Sequence, residues 1–573
     1  FYKVPELASK LVAEGRRAVA PLLQQVEDED RENPAKEEFQ EPLDLFLMAL
    51  KLEKGKSLEA TKALDAMWEA VHTARRHEDR NLRRKQQVED TELVEAEVEV
   101  VELGADDKAR RPAPNHGDPY DVIIVGAGAS GVGMGLMLSR TFDLDPKRVL
   151  IVERGEEAGE SFRRWPKEMR FISPSFNNQG WTASFDLNSI AYQTSPAYTL
   201  QAEHPTGAEY AHYLKELASS GELNVQYSTQ VTAVRPIPAG VAAVQALRPG
   251  GRNSGSSAGR FEVDVAPARP DGAQDWAVDE AQATTLRSRY VVWAAGEFQY
   301  PRKEAPEFPG AELCRHNSSV RSWKELPGDD FVVIGGYESG MDAVHNLTQC
   351  GKRCTVASST AFWNVTTDDP STELAPYTMD RVRQAFRNAQ TPPRLLAPLR
   401  VLGVEREEES GGYVVRGRWG APVEHPGGEH RTPYHNGDAD MEERGEEGIE
   451  IELRTPQPPL LCTGFGGSVR LGVAKDLFEW GEEGSGCLAG APILNEHDES
   501  TKTPGLFLAG PAVRHEEHIF CFVYKFRQRF AVVADAIAQG LGHDTEETVQ
   551  KCKAVNMYLA DFSCCKGACG ETC

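Results

Sequence analysis

Four of the eleven cysteines, Cys564, Cys565, Cys569 and Cys573, fall in the last ten residues, in a glycine-containing stretch too short for a core of its own. Thiols so placed are exposed, and Lys566 beside Cys565 lowers a thiol pKa electrostatically, which favours thiol/disulfide exchange. Two other readings fit the spacing: zinc chelation, against which the adjacent ligands count, and static disulfides that pin the terminus. Cys521, in the apolar and basic run IFCFVYKFRQRF (519–530), is a candidate partner thiol or a buried core residue. Other clusters are thin. The histidines of HEEH (515–518) are three apart and miss the HExxH spacing, so a loop is expected there. The N-x-[ST] triplets at Asn317, Asn346 and Asn364 are what chance gives in a chain of 573 residues.

A second chemistry lies in the glycines. In DVIIVGAGASG (121–131) an apolar strand runs into Gly126, Gly128 and Gly131, and Val132 and Leu136 then share one helix face. Gly126 permits the tight turn, Gly128 admits a pyrophosphate to the backbone, and Gly131 lets the helix press on the sheet. The helix N-terminus adds free N–H groups and partial positive charge. A second strand, Val149 to Val152, ends in Glu153, placed to accept hydrogen bonds from a ribose. The pattern recurs in FVVIGGYESG (331–340), with Gly335, Gly336 and Gly340, but Tyr337 stands where the second fingerprint glycine belongs. The next strand, CTVASS (354–359), carries Ala357 and Ser358 in place of an acid. With no carboxylate to repel a 2′-phosphate and Lys352 and Arg353 close in sequence, NADPH is expected over NADH.

These turns need a frame. From Tyr120 onward, short β-branched runs alternate with turn glycines, the texture of strands and crossover helices in a parallel sheet. The expected fold is α/β, with two Rossmann-like dinucleotide-binding domains and an added helical acidic N-terminal segment. The expected bounds are 1–118 for the charged extension, 119–328 and 459–545 for two pieces of the first dinucleotide-binding domain, 329–458 for the second, and 546–573 for the cysteine tail. Within the extension Leu64, Met67, Trp68 and Val71 mark one helix face, which reads as a dock for a protein partner or as a solvated extension. Pro249 to Asp279 and Glu405 to Gly448 are rich in glycine and charge and read as surface loops or frayed hairpins. Lys plus Arg number 63 against 88 Asp plus Glu, a formal net charge of −25. Phosphate backbones and anionic leaflets repel such a surface, so neither nucleic acid nor membrane is expected as a partner. The run Val122 to Leu138 is full of glycine and reads as strand, turn and helix rather than a membrane span. The chain begins with Phe1 rather than Met, so processing or truncation is expected and the compartment is left open.

With these motifs in place, residues 120 to about 545 resemble the two-dinucleotide-binding-domain flavoproteins, which include thioredoxin reductases, bacillithiol disulfide reductases and class B flavin monooxygenases. VVWAAGEFQYP (291–301), with Ala295 and Gly296, resembles the strand and turn that lead from the FAD domain to the NADPH domain. LLCTGF (460–465) and TPGLFLAGP (503–511), with Gly510 and Pro511, resemble the segments that return to the flavin. AGESFRRWP (158–166), with Ser161 and Phe162, resembles the stretch after the ribose acid in monooxygenases. GGYESG resembles the Gly-Gly-Gly-Asp-Ser-Ala turn of thioredoxin reductases, with Glu338 and Ser339 in matching places. The resemblance implies FAD on Gly126, Gly128, Ser130, Gly131, Glu153 and Arg154, closed by the 158–166, 295–296 and 510–511 segments. It implies NADPH on the Gly335 to Gly340 turn and Ser358.

The departures bear on the reaction. Gly510 is followed by Pro511 where thioredoxin reductases have Asp, and no Cys-x-x-Cys occurs in the second domain, which excludes the small thioredoxin reductase mechanism. The monooxygenase signature Phe-x-Gly-x-x-x-His keeps Phe308 and Gly310, but Cys314 occupies the His position and His316 comes two residues late. Arg529 stands roughly where monooxygenases place an arginine. The expected function is an NADPH oxidoreductase using FAD, with electrons leaving through the C-terminal cysteines to a thiol/disulfide acceptor, as in the C-terminal shuttles that large thioredoxin reductases and mercuric reductases carry. The alternatives are a class B monooxygenase acting on a small organic substrate and a non-catalytic subunit or scaffold.

Overall fold

The computed structural model describes residues 119–175, 186–237, 260–271, 275–302, 308–367, 373–388, 390–421, 428–430, 442–481, 491–515 and 518–562. The chain divides into two units, Phe1–Ala109 and Arg110–Cys573, and all described residues lie in the second. The helix face expected at Leu64 to Val71 and the cysteines Cys564, Cys565, Cys569 and Cys573 fall outside them.

The first sheet forms around β1 (Tyr120–Val125), which pairs in parallel with β2 (Val149–Val152) on one side and β3 (Thr284–Trp293) on the other. Its Val122, Ile123 and Ile124 are completely buried, which is why the strand reads as an unbroken apolar run rather than an alternating one. The early part of β3 pairs antiparallel with Phe261–Asp271, and its last residues take Leu506–Leu508 in parallel. The full order is Asn224–Gln226, β2, β1, β3, Phe261–Asp271, Thr229–Pro236. Helix α1 (Ala129–Leu136) follows β1 and packs against the sheet.

In the second sheet, β4 (Asp330–Ile334) pairs in parallel with β5 (Arg353–Ala357) and with Leu460–Leu461. Helix α2 (Glu338–Gln349) joins β4 to β5, and α3 (Pro376–Asn388) lies beside α2. A three-stranded antiparallel sheet, Leu399–Arg406, Tyr413–Trp419 and Glu450–Thr455, packs on the second sheet through Val404, Val415 and Trp419. Each parallel sheet has its own apolar core. The first draws on residues 120–294 and again on 469–557, while the second lies within 320–462.

Three sequence expectations change in part. Pro249 to Asp279, read as a surface loop or frayed hairpin, does hold a hairpin, Phe261–Asp271 with Asp275–Val278, but not a surface one: its Val263 and Val265 are buried in the first core. Within Glu405 to Gly448, Tyr413–Trp419 is the central strand of the antiparallel sheet. Residues 546–562, grouped with the cysteine tail by composition, belong to the first core, where Val549, Cys552 and Met557 are buried behind the long helix α4 (Val523–Gly540). Among the described residues no helix is long and apolar enough to cross a membrane.

Candidate functional site

Strand register builds the first half of the site. Val125 lies level with Val152 and with Trp293, and Leu508 is level with Trp293, so all four strands end at one edge. The residues that follow them, Gly126, Glu153, Ala295 with Gly296, and Gly510, therefore converge there, where ligands of open α/β sheets bind. Gly126 has φ +100°, and a Cβ on it would stand 2.9 Å from the Ala294 carbonyl oxygen. A Cβ on Gly131 would overlap the Gly126 carbonyl, whereas one on Gly128 would meet nothing within 4 Å. Two of the three glycines are thus demanded by packing, and the third leaves a gap that a pyrophosphate can fill. No side chain caps α1, so its first N–H groups face that gap uncompensated. Ser130 is buried opposite Gly510, where a Cβ would strike its Oγ, so the early and late pieces of the sequence meet at this point.

Glu153 is buried; its Oε2 accepts from Ala127 N at 2.6 Å and its Oε1 from Gly155 N at 2.7 Å. Burial pushes its pKa up against the pull of those two N–H groups. The guanidinium groups of Arg154 and Arg164 lie over the Trp276 ring, 5.0 and 4.2 Å from its centroid. Burial also lowers the Arg154 pKa. Among the described residues the buried Trp276 indole N–H has no acceptor. Ser161 and Phe162 lie on the short helix Glu160–Arg163, and the Phe162 ring packs inward against Trp165, Phe171 and Tyr210. Beyond Gly296 the Glu297 side chain keeps Oε1 buried without a donor, and burial raises its pKa while Arg514 pulls it down. Pro511 is half-buried beside Gly510.

The second half repeats the logic with a tighter fit. Ile334 lies level with Ala357 and Leu461, which places Gly335, Ser358 and Cys462 at one edge. A Cβ on Gly340 would overlap the Gly335 carbonyl, as in the first turn, and one on Gly336 would meet Ser358 Oγ at 2.6 Å and the Trp363 ring at 2.8 Å. Among the described residues the buried Trp363 indole N–H has no acceptor. Tyr337 donates its hydroxyl to the Glu373 carbonyl at 3.1 Å. Glu338, the first residue of α2, accepts from Ala375 N at 2.7 Å and from the Thr378 hydroxyl, so its carboxyl ties α2 to α3. Burial pushes its pKa up to about 7. Ser339 is half-buried behind it, and Ser358 Oγ donates to the Thr360 carbonyl at 2.6 Å.

Residues 123–246 and 271–411 match the pyridine nucleotide-disulphide oxidoreductase family. The matched segments carry both glycine turns. That family is named for its pyridine nucleotide. The open cradle at Gly128, the buried Glu153 carboxylate and the acceptorless indoles of Trp276 and Trp363 all fit bound dinucleotides. An uncharacterised oxidoreductase, CzcO, of Bacillus velezensis is 20% identical over 236 residues, 40% of this chain; the chain spans about half (52%) of that relative's length. Among solved structures, the bacillithiol disulfide reductase Bdr (YpdA) of Staphylococcus aureus is 14% identical with TM-score 0.48, covering 74% of this chain and 99% of its own. The ornithine N-hydroxylase KtzI of Kutzneria sp. 744 has the same coverages, with 15% identity and TM-score 0.49. The thioredoxin reductase of T. acidophilum is 13% identical with TM-score 0.44, covering 74% of this chain and all (100%) of its own.

Several side chains singled out in this oxidoreductase by sequence have other work. Arg353 begins β5 and Lys352 precedes it, so both lie about 17 Å or more of strand from Ser358. Lys352 donates to the Leu326 carbonyl and Arg353 pairs with Asp330 at 2.9 Å, so neither can meet a 2′-phosphate at the nucleotide edge. Arg529 is buried against Asp498, donating from Nε at 3.0 Å and from Nη2 at 2.7 Å. Its remaining donors go to the Leu559 and Glu496 carbonyls, so it locks the C-terminal segment rather than facing a nucleotide. His515 of HEEH bonds the same Asp498. Among the described residues no group of three or more His, Cys, Asp or Glu could hold a metal ion. His316, buried, donates from Nε2 to the Gly464 carbonyl at 3.0 Å, while burial pushes the Cys314 thiol up to about 12. Cys521 is half-buried between Phe520 and Phe522 and is a free thiol. Trp276, Glu297 and the Asp498 lock were not anticipated from sequence; a tryptophan isolated in a polar stretch was the one available sign.

Proposed function

We propose that the protein is an FAD-dependent NADPH oxidoreductase that delivers electrons to a thiol or disulfide acceptor through its C-terminal cysteines. We assign the ADP half of FAD to the Gly126–Gly131 turn, Ser130, Glu153 and Arg154, and NADPH to the Gly335–Gly340 turn with Ser358. The observation that carries the reading is the anchoring of Phe562. Its ring stacks on His515 and His518, with centroids 5.3 and 5.2 Å away, lies 5.8 Å from Phe520 and sits under the Arg529 guanidinium. Cys564 is the second residue after Phe562, within about 7 Å of chain, and Phe562 itself packs beside the segment that carries Cys521.

The Gly126–Gly131 turn, Glu153 and Arg154 would hold FAD, which would supply two-electron transfer between NADPH and the acceptor. The chain's part is positional: Glu153 holds a ribose, the α1 N-terminus receives phosphate charge, and Phe562 limits how far the thiols travel. The sum is NADPH, a proton and a disulfide going to NADP+ and two thiols. Deleting residues 564–573 should leave FAD content and bleaching of the flavin band by NADPH intact while abolishing turnover with a dithiobenzoate reagent or oxidised thioredoxin. Undiminished turnover refutes the shuttle, and zinc in the full-length protein indicates chelation instead.

A second reading, monooxygenation of a small organic substrate, draws on His316. Its bond to Gly464 ties the half-kept signature segment to the segment returning toward the flavin. NADPH consumption that depends on such a substrate and survives the deletion favours it. A protein that takes up FAD yet is bleached by neither NADPH nor NADH fits a structural subunit, with residues 1–118 as its dock.

A further inference from the structure

Between residues 167–170 and helices α2 and α3 lies a cavity of about 500 Å³, the size of a small-molecule site. It is not at either glycine turn: on α2 its walls are His345 and Asn346, about two helical turns beyond Glu338. Its charge opposes that of the chain. Lys167, Arg170, Lys324 and Arg381 line it against only Glu168 and Glu325, in a protein of formal net charge −25.

Both carboxylates are already engaged. Glu168 accepts from Ser322 Oγ at 2.6 Å and Trp323 N at 2.9 Å, and Glu325 pairs with Lys167 at 2.6 Å. Arg381 is buried and pairs with Asp342 at 2.7 Å. Two cations remain uncompensated. Among the described residues the Arg170 side chain donates only to the His204 carbonyl, at 2.9 Å, and the Lys324 ammonium has no partner. The walls around them are ordered: His204 stacks on Tyr377 with centroids 3.7 Å apart, and His345 Nδ1 donates to the Arg381 carbonyl at 2.9 Å.

We propose that this cavity binds a small, multiply charged organic anion, a phosphate ester or a polycarboxylate, at a site separate from both dinucleotides, its head group held by Arg170 and Lys324. Its walls come from the segment after the flavin-side turn and from the helices behind the NADPH-side turn. An occupant touching both favours one arrangement of the two sheets over others.

The test is calorimetric titration of the full-length holoprotein with sodium pyrophosphate and, separately, with citrate, in saturating NADP+. At least one probe should bind with NADP+ present and bind more weakly as salt rises. The double variant Arg170→Ala/Lys324→Ala should weaken that binding about fivefold while leaving FAD content and NADPH bleaching unchanged. Both side chains are exposed, so the fold does not depend on them. Binding of pyrophosphate alone assigns a phosphate ester, and binding of citrate alone assigns a polycarboxylate. Failure of both probes, displacement by NADP+, or a double variant that binds like the parent overturns the proposal. NADPH bleaching is read in the same samples, so a failed cofactor assignment is told apart from a failed anion site.

Discussion

Replacing Glu338 by glutamine should flatten the pH dependence of stability near neutrality. The carboxyl at the start of α2 takes Ala375 N and the Thr378 hydroxyl, and burial holds its pKa at about 7 against an ordinary 4.5. The helix N-terminus favours the charged form, but burial outweighs it. With the folded pKa above the unfolded one, the folded protein holds the extra proton between about pH 4.5 and 7. Its contribution is therefore full below about pH 4.5 and is lost as pH rises through about 7. A gap of about 2.5 units is worth at most about 3 kcal/mol. A glutamine side chain there can keep the bond from Ala375 N through its oxygen and offer its amide to the Thr378 hydroxyl, with nothing to titrate. Urea unfolding followed by circular dichroism from pH 5 to 8.5 should show wild-type stability falling by a few kcal/mol, about 3 at most, more than the variant's. NADPH affinity should follow the same trend, because the ionised acid lies within the turn assigned to the phosphates. An E338Q protein with the parent's pH slope would refute the reasoning.

Gly131→Val should cost the flavin before it costs the fold, since its Cβ overlaps the Gly126 carbonyl and α1 must retreat from the turn; absorbance at the flavin band of the purified variant is the measurement, and a fully yellow protein contradicts the account. Asp498→Ala strands the Arg529 guanidinium in a buried site, which should destabilise the protein by about 3–5 kcal/mol, read as a lowered Tm, with trypsin cutting earlier near residue 559.

The flavin-side turn was legible because each of its demands is local. An apolar strand, glycines at fixed spacing and an acid after the next strand all come from neighbouring sequence, and the buried Val122–Ile124 run marks a strand of a parallel sheet. The residues around it were not legible. Trp276 reaches Arg154 by way of a hairpin hidden in a glycine-rich stretch, and Arg529 meets Asp498 and Leu559 only after three segments fold together. Lys352 and Arg353 show a subtler failure. They are close to Ser358 in sequence, but an extended strand separates them by its own length, a distance that five residues of β-structure already imply. Composition likewise assigned 546–562 to the tail, although Val549, Cys552 and Met557 are apolar at positions that the first core covers.

The pairing of Leu506–Leu508 with the end of β3 bears on how the chain is made. At the ribosome, β3 emerges with its Val291–Trp293 edge bare, and the strand that covers it follows about two hundred residues later. At roughly 5–20 residues per second that interval is about 10 to 40 s. The second sheet, whose strands all lie between Arg315 and Leu461, is complete before it ends. The NADPH-side unit therefore folds on a nascent chain whose flavin-side sheet still offers an unpaired edge. Stalled chains ending before Leu506 should bind trigger-factor-like holdases through that edge and release them once Leu508 and α4 have emerged.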